Sequence, residues 1–117
     1  MNIEIIEDIA VLSSEELIIR DLQSALDLIA TINYETSLNK IVIRKDNIIE
    51  DFFYLETKLA GDVFQKFMNY KIKMAIVGDF LSYESKSLND FIYECNKGSS
   101  FFFVGKINEG IKRLNML

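Results

Sequence analysis

Short runs of β-branched and aromatic residues alternate with amphipathic stretches almost from one end of the chain to the other. The runs are Asn2–Ile6, Ile9–Leu12, Lys40–Arg44, Lys73–Val77 and Ser100–Val104, and a helix-like segment follows each of the last four. Asn2–Ile6 alternates polar and apolar residues, as a half-exposed strand does. Only Glu7 and Asp8 separate it from the next run, so the two must pair antiparallel. Lys73–Val77 is apolar after its first residue, and Ser100–Val104 carries three consecutive phenylalanines. Both read as strands covered on two faces. The pattern predicts a single α/β domain over residues 1–117, a sandwich with a mixed sheet of about five strands in the order β-β-α-β-α-β-α-β-α.

The helical stretches carry their own start and stop signals. Leu22, Ala25, Leu26, Ile29 and Ile32 fall on one face of a helix reaching about Tyr34, with Ser13, Ser14 or Asp21 as alternative caps. Val63, Phe64, Phe67 and Met68 build the next apolar face, with Thr57 as N-cap and an end near Asn69-Tyr70. Gly61 inside this helix costs about 1 kcal/mol relative to alanine, which suggests a close backbone approach. Ser85 or Ser87 caps a helix that buries Leu88, Phe91, Ile92 and Cys95, and Asn108 caps a last one with Ile111, Leu114 and Met116. The stretch Ile48–Leu55 is ambiguous, because Phe52, Phe53 and Tyr54 are adjacent.

Half of the 117 residues are hydrophobic and 26% are charged, which fits a folded globular chain. A net charge of −5 goes with no basic stripe of the kind that holds nucleic acid, so no nucleic-acid partner is expected. The chain has no histidine and a single cysteine, Cys95. Ser–His–Asp and Cys–His catalysis and the usual tetrahedral zinc sites are thereby set aside. One cysteine permits no internal disulfide, as suits a reducing compartment. The N-terminus is acidic with no long apolar segment behind it, and no apolar run nears the ~20 residues that span a bilayer. The expected setting is the cytoplasm, away from membranes.

Parallel strands followed by helices gather the loops after the third, fourth and fifth strands on one edge of the sheet, where such folds meet ligands and partners. That edge would collect Asp51, Phe52, Phe53, Tyr54 and Thr57 with Asp79, Phe80, Tyr83 and Ser85, beside Glu50 and Ser87. Exposed aromatics there suit a partner surface, and free N–H groups at helix starts favour an anion or a phosphorylated side chain. The plainer reading is that the rings close the core and the hydroxyls cap helices. Glu50, Asp51 and Asp79 are a further candidate for a hard cation or an acid–base pair, although adjacent acids in a turn are usually a solvated cluster. Gly78 and Gly105 read as turn glycines, with no phosphate loop or dinucleotide fingerprint beside them. No cofactor and no metal site is expected, and Cys95 reads as a small core residue.

The element order resembles that of the STAS domain, the fold of bacterial anti-sigma-factor antagonists and of cytoplasmic tails on sulfate transporters. In those antagonists a phosphorylated Ser or Thr stands at the start of the second helix, in an Asp-Ser-Ser/Thr-Gly context. The corresponding junction here reads Glu56-Thr57-Lys58-Leu59-Ala60-Gly61. The resemblance implies Thr57 as a phosphoacceptor, with Lys58 in place of the glycine and Leu55-Glu56 in place of Asp-Ser. At the level of sequence the chain is similar to a bacterial family known as domain of unknown function 4180. The similar blocks are Gln23–Asp27, Tyr34–Thr36, Glu50–Phe53, Leu59–Gly61, Ala75–Phe80 and Ser85–Leu88. Topology and edge together imply a non-enzymatic cytoplasmic regulatory module that docks a protein partner. Two alternatives stay open: a small-ligand sensor or enzyme using the same edge, with Asp51 and Asp79 as anchors, and a structural homo-oligomer.

Overall fold

Five strands lie side by side in chain order: β1 (Asn2–Ile6), β2 (Ile9–Ser13), β3 (Lys40–Arg44), β4 (Lys73–Val77) and β5 (Phe101–Val104). The computed structural model describes residues 1–117. β1 and β2 are antiparallel across the two-residue turn Glu7-Asp8, where Glu7 takes the left-handed conformation at φ 59°. The remaining pairs are parallel, and each is bridged by a helix, as parallel crossovers require. The helices are α1 (Leu22–Thr36), α2 (Leu59–Asn69), α3 (Lys86–Lys97) and α4 (Ile107–Asn115), so every element expected from the pattern is present.

Alternation along the central strands sorts their side chains into two layers. Ile41, Ile43, Met74, Ile76, Phe101 and Phe103 face α1, α2 and α3 in the larger core. Val42, Ala75, Phe102 and Val104 face α4 in the smaller one, with Leu114 fully buried among them. A strand covered on both sides must be apolar at every position, which is why β4 and β5 read as unbroken hydrophobic runs. α4 sits very close to the sheet. A Cβ on Gly110 would lie 3.1 Å from the Ala75 Cβ, so the approach depends on small residues on both surfaces. No helix is long and apolar enough to cross a membrane.

The helix starts differ from their expected places. Asp21, not Ser13 or Ser14, caps α1: its Oδ1 accepts the Ser24 N–H at 2.7 Å, and the Ser24 hydroxyl accepts the Asp21 N–H at 3.0 Å. The Ser24 main-chain N–H foremost, and then the Ser24 side chain, hold the Asp21 carboxyl below the usual carboxylate range. Ser13 instead ends β2. The connection that follows is pinned by the buried Asn47, whose Nδ2 donates to the carbonyl oxygens of Ser14 and Glu16 at 2.9 Å each. The Asn47 carbonyl in turn accepts from the N–H groups of Ile18 and Ile19. α2 begins at Leu59 rather than at a Thr57 cap, and α4 begins at Ile107 with Asn108 inside it. Gly61 meets no close approach, because a Cβ there would find nothing within 4 Å.

The outer edge of β5 is occupied by a side chain. The Asn96 amide donates to the Phe103 carbonyl at 3.1 Å and accepts the Phe103 N–H at 2.8 Å, standing in for part of a sixth strand. Arg113 holds Asn96 by donating to its carbonyl, and its guanidinium lies over the Phe102 ring, 4.3 Å from the centroid. An edge closed in this way resists pairing with a further strand.

Candidate functional site

β3 and β4 run in register to their ends, Arg44 opposite Val77, so Lys45 and Gly78 emerge beside one another. A Cβ on Gly78 would lie 2.7 Å from the Lys45 Cβ. Gly78 is therefore a glycine of close approach rather than of turn geometry. Its missing side chain lets Lys45 lie across the sheet edge, with Nζ 5.2 Å from the ring centroids of both Phe53 and Tyr83 and 3.4 Å from Glu50 Oε1. The Tyr83 hydroxyl donates to the Glu50 carboxylate, 2.6 and 2.7 Å from its two oxygens.

These three groups satisfy one another. Burial pushes the Lys45 ammonium towards neutrality, but Tyr83 and Glu50 outweigh it and the net pKa is raised. Burial, and then the hydrogen bond to Glu50, raise the Tyr83 phenol against the opposing pull of Lys45. At neutral pH Lys45 stays charged and Tyr83 stays a donor. The arrangement is a polar clasp on the rim of the core, with its proton donors and acceptors already matched.

The expected aromatic surface divides in two. Phe52 and Phe53 are buried, which corrects their placing on a contact face. The 3-10 turn Glu50–Phe53 rolls both rings inward, Phe52 edge-on to Phe64 of α2 at 5.6 Å and Phe53 stacked on Tyr83 at 5.7 Å. Phe80 is half-buried, edge-on to Phe103 at 5.2 Å. Tyr54 points the other way and is 47% exposed. Leu81, which the pattern of the sequence did not single out, is 96% exposed. Asp79 fixes the loop that carries it, its Oδ1 accepting the Leu81 N–H at 3.0 Å. Beside Leu81 is an open groove of about 440 Å³ lined chiefly by Phe80, Ile92, Phe103 and Val104.

Thr57 lies at the same edge, exposed, with its hydroxyl 2.8 Å from the carbonyl oxygens of both Asp51 and Tyr54. It also accepts the Leu59 N–H at 3.3 Å, so it serves the start of α2 from one residue further out than a cap. Between them Lys58 takes φ 66°, the left-handed conformation that favours glycine. Ser85 caps α3, accepting the Leu88 N–H at 3.2 Å, and Ser87 falls inside that helix. Asp51 is exposed. Glu50, Asp51 and Asp79 do not converge to ligating distance, since no three acidic, thiol or imidazole groups do so anywhere in the chain. Lys45 and Gly78 were legible in principle, by laying the two expected strands side by side and reading one step past their ends.

The family model described as domain of unknown function (DUF4180) matches residues 6–114. The chain belongs to the DUF4180 family. No curated protein matches it. Among solved structures it is similar to the crystal structure of a candidate anti-sigma factor antagonist from Thermotoga maritima, with a TM-score of 0.54 at 13% sequence identity. That similarity covers 97% of this chain and 93% of the other, so this DUF4180 member has a STAS-like fold over its whole length.

Proposed function

We propose that this DUF4180 chain is a non-enzymatic cytoplasmic regulatory module that docks a protein partner on the C-terminal edge of its sheet, with Leu81 and Tyr54 as contact residues. The observation that carries this reading is Leu81. An apolar side chain left 96% exposed gains nothing from the fold, yet its loop is held by Asp79 and flanked by an apolar groove. The clasp of Lys45, Glu50 and Tyr83 supports the same reading from the other side. With its donors and acceptors matched, the edge presents a rigid apolar patch rather than a poised acid or base.

Thr57 supplies a means of control. Its hydroxyl is within hydrogen-bond reach of the turn that presents Tyr54, and a phosphate would replace that donor with acceptors beside Asp51 and Glu56. Charge at Thr57 would then free the turn and weaken docking. The Thermotoga maritima protein, described as a candidate anti-sigma factor antagonist, adds an analogy of fold only.

The test is affinity capture from native cell extract with the wild-type chain, Leu81→Ala/Tyr54→Ala and Thr57→Glu as parallel baits. A partner held by wild type and lost by both variants, all three melting within a few degrees of one another, is the expected result. A partner retained by Leu81→Ala/Tyr54→Ala would place the docking surface elsewhere.

A further inference from the structure

The opposite end of the parallel strands carries a second hollow. Leu26, Ile29, Leu38 and Ile72 line a groove of about 620 Å³ beside the C-terminal half of α1, a volume suited to a small organic molecule. Its polar lining includes Asp8, Asn33, Asn39 and Tyr70. The main-chain carbonyls of Asn33 and Asn39 accept the N–H groups of Ser37 and Lys73 at 3.1 and 2.9 Å, while their side-chain amides stand exposed at the groove.

The charge of the groove is one-sided. Asp8 is the one ionisable carboxylate of the lining, and its cationic contact, Lys40, stands at a long 3.5 Å with the carboxylate mostly exposed. The last turn of α1 carries no basic residue and contains Glu35, so nothing on the helix offsets its negative C-terminal pole. An anion would meet like charge here, and a neutral molecule would leave Asp8 with only its weak partner. We infer that this groove binds a small amine, an ammonium group on an aryl or alkyl skeleton, with Asp8 holding the head and Leu26, Ile29 and Ile72 the body. The site shares no residue with the docking edge, so it stands or falls independently of that reading.

The experiment is an amide nuclear magnetic resonance titration of the full 117-residue chain with three probes of one shape. These are 2-phenylethylammonium, 2-phenylethanol and 3-phenylpropanoate. Saturable shifts at Ala30, Asn33, Asn39 and Ile72 are expected with the ammonium probe, about tenfold tighter than with the alcohol. Asp8→Asn, a substitution that suits a turn, should abolish that advantage while the spectrum keeps its dispersion. Lys40→Met removes the internal competitor and should tighten the amine several-fold. Tightest binding by the carboxylate probe, loss of amine binding in Lys40→Met, an unchanged preference in Asp8→Asn, or no saturable shift at the groove with any probe would overturn the assignment.

Discussion

At the C-terminal end of the parallel strands three ionisable side chains pair with one another, and a leucine and a tyrosine stand exposed beside them. At the N-terminal end the apolar side chains form a hollow, and the groups left free are amides and a weakly paired carboxylate. Lys45, Glu50 and Tyr83 belong to the first pattern, and Asp8, Asn33 and Asn39 to the second. The difference teaches how to read an edge of a sheet. Ionisable residues gathered at the expected place for chemistry can be a clasp, and the open polar groups can be at the other end.

The sharpest way to break the comparison lies within three adjacent aromatics. Phe53→Ala should cost about 3–5 kcal/mol, because its ring is packed between Tyr83 and Phe52. Tyr54→Ala should stay within about 1 kcal/mol, its ring being half in solvent. Urea denaturation of both variants checks this, and similar losses would show that the edge has no separable surface. Next in size is Gly78→Ala, expected to cost about 1–3 kcal/mol by forcing the Lys45 stem aside. The same substitution should move the ring resonances of Tyr83. Gly61→Ala goes the other way. It should stabilise by about 0.5–1 kcal/mol, since the new methyl meets nothing and the helix gains propensity.

The smallest expected effect is one of pH. Folding raises the Tyr83 pKa above its ordinary value of about 10, so the stability it brings is complete below that value and is lost as pH rises through the folded one. Lys45, also raised, has the same sign. Cys95, pushed up by burial to about 11, adds a loss in the same direction starting near pH 9. Denaturation midpoints at pH 8 and pH 10.5 should therefore fall more in wild type than in Tyr83→Phe. Equal falls would mean that the clasp does not form in solution.

The strands were legible almost to the residue, β1, β3 and β4 at their exact bounds, because each is a β-branched or aromatic run closed by turn residues. Caps were less so. Ser13, Ser14 and Asp21 all have the right chemistry, and the choice among them is made by distant contacts: Ile19 bridges to Ile48 and Asn47 binds the Ser14 and Glu16 carbonyls, which keeps the chain out of a helix until Asp21. Adjacency also hides direction. Phe52, Phe53 and Tyr54 look alike in sequence, and only the 3-10 turn decides that two go inward and one outward. Leu81 was passed over because a leucine in a loop reads as core, and the second groove because its lining comes from turns far apart in the chain. Of the residues expected at the site, Asp51, Tyr54 and Thr57 lie together on the segment after β3 and Asp79, Phe80, Tyr83 and Ser85 on the loop after β4, the two joined through the buried Phe53.

The most direct measurement is site-specific photo-crosslinking in native cell extract, with a benzophenone side chain placed at position 81 and, separately, at position 70, both exposed in the wild-type chain. A discrete protein adduct at position 81 that disappears when Tyr54→Ala is added, with none at position 70, is the predicted result. A protein adduct at position 70 and none at position 81 would contradict the assignment of the partner surface to the C-terminal edge.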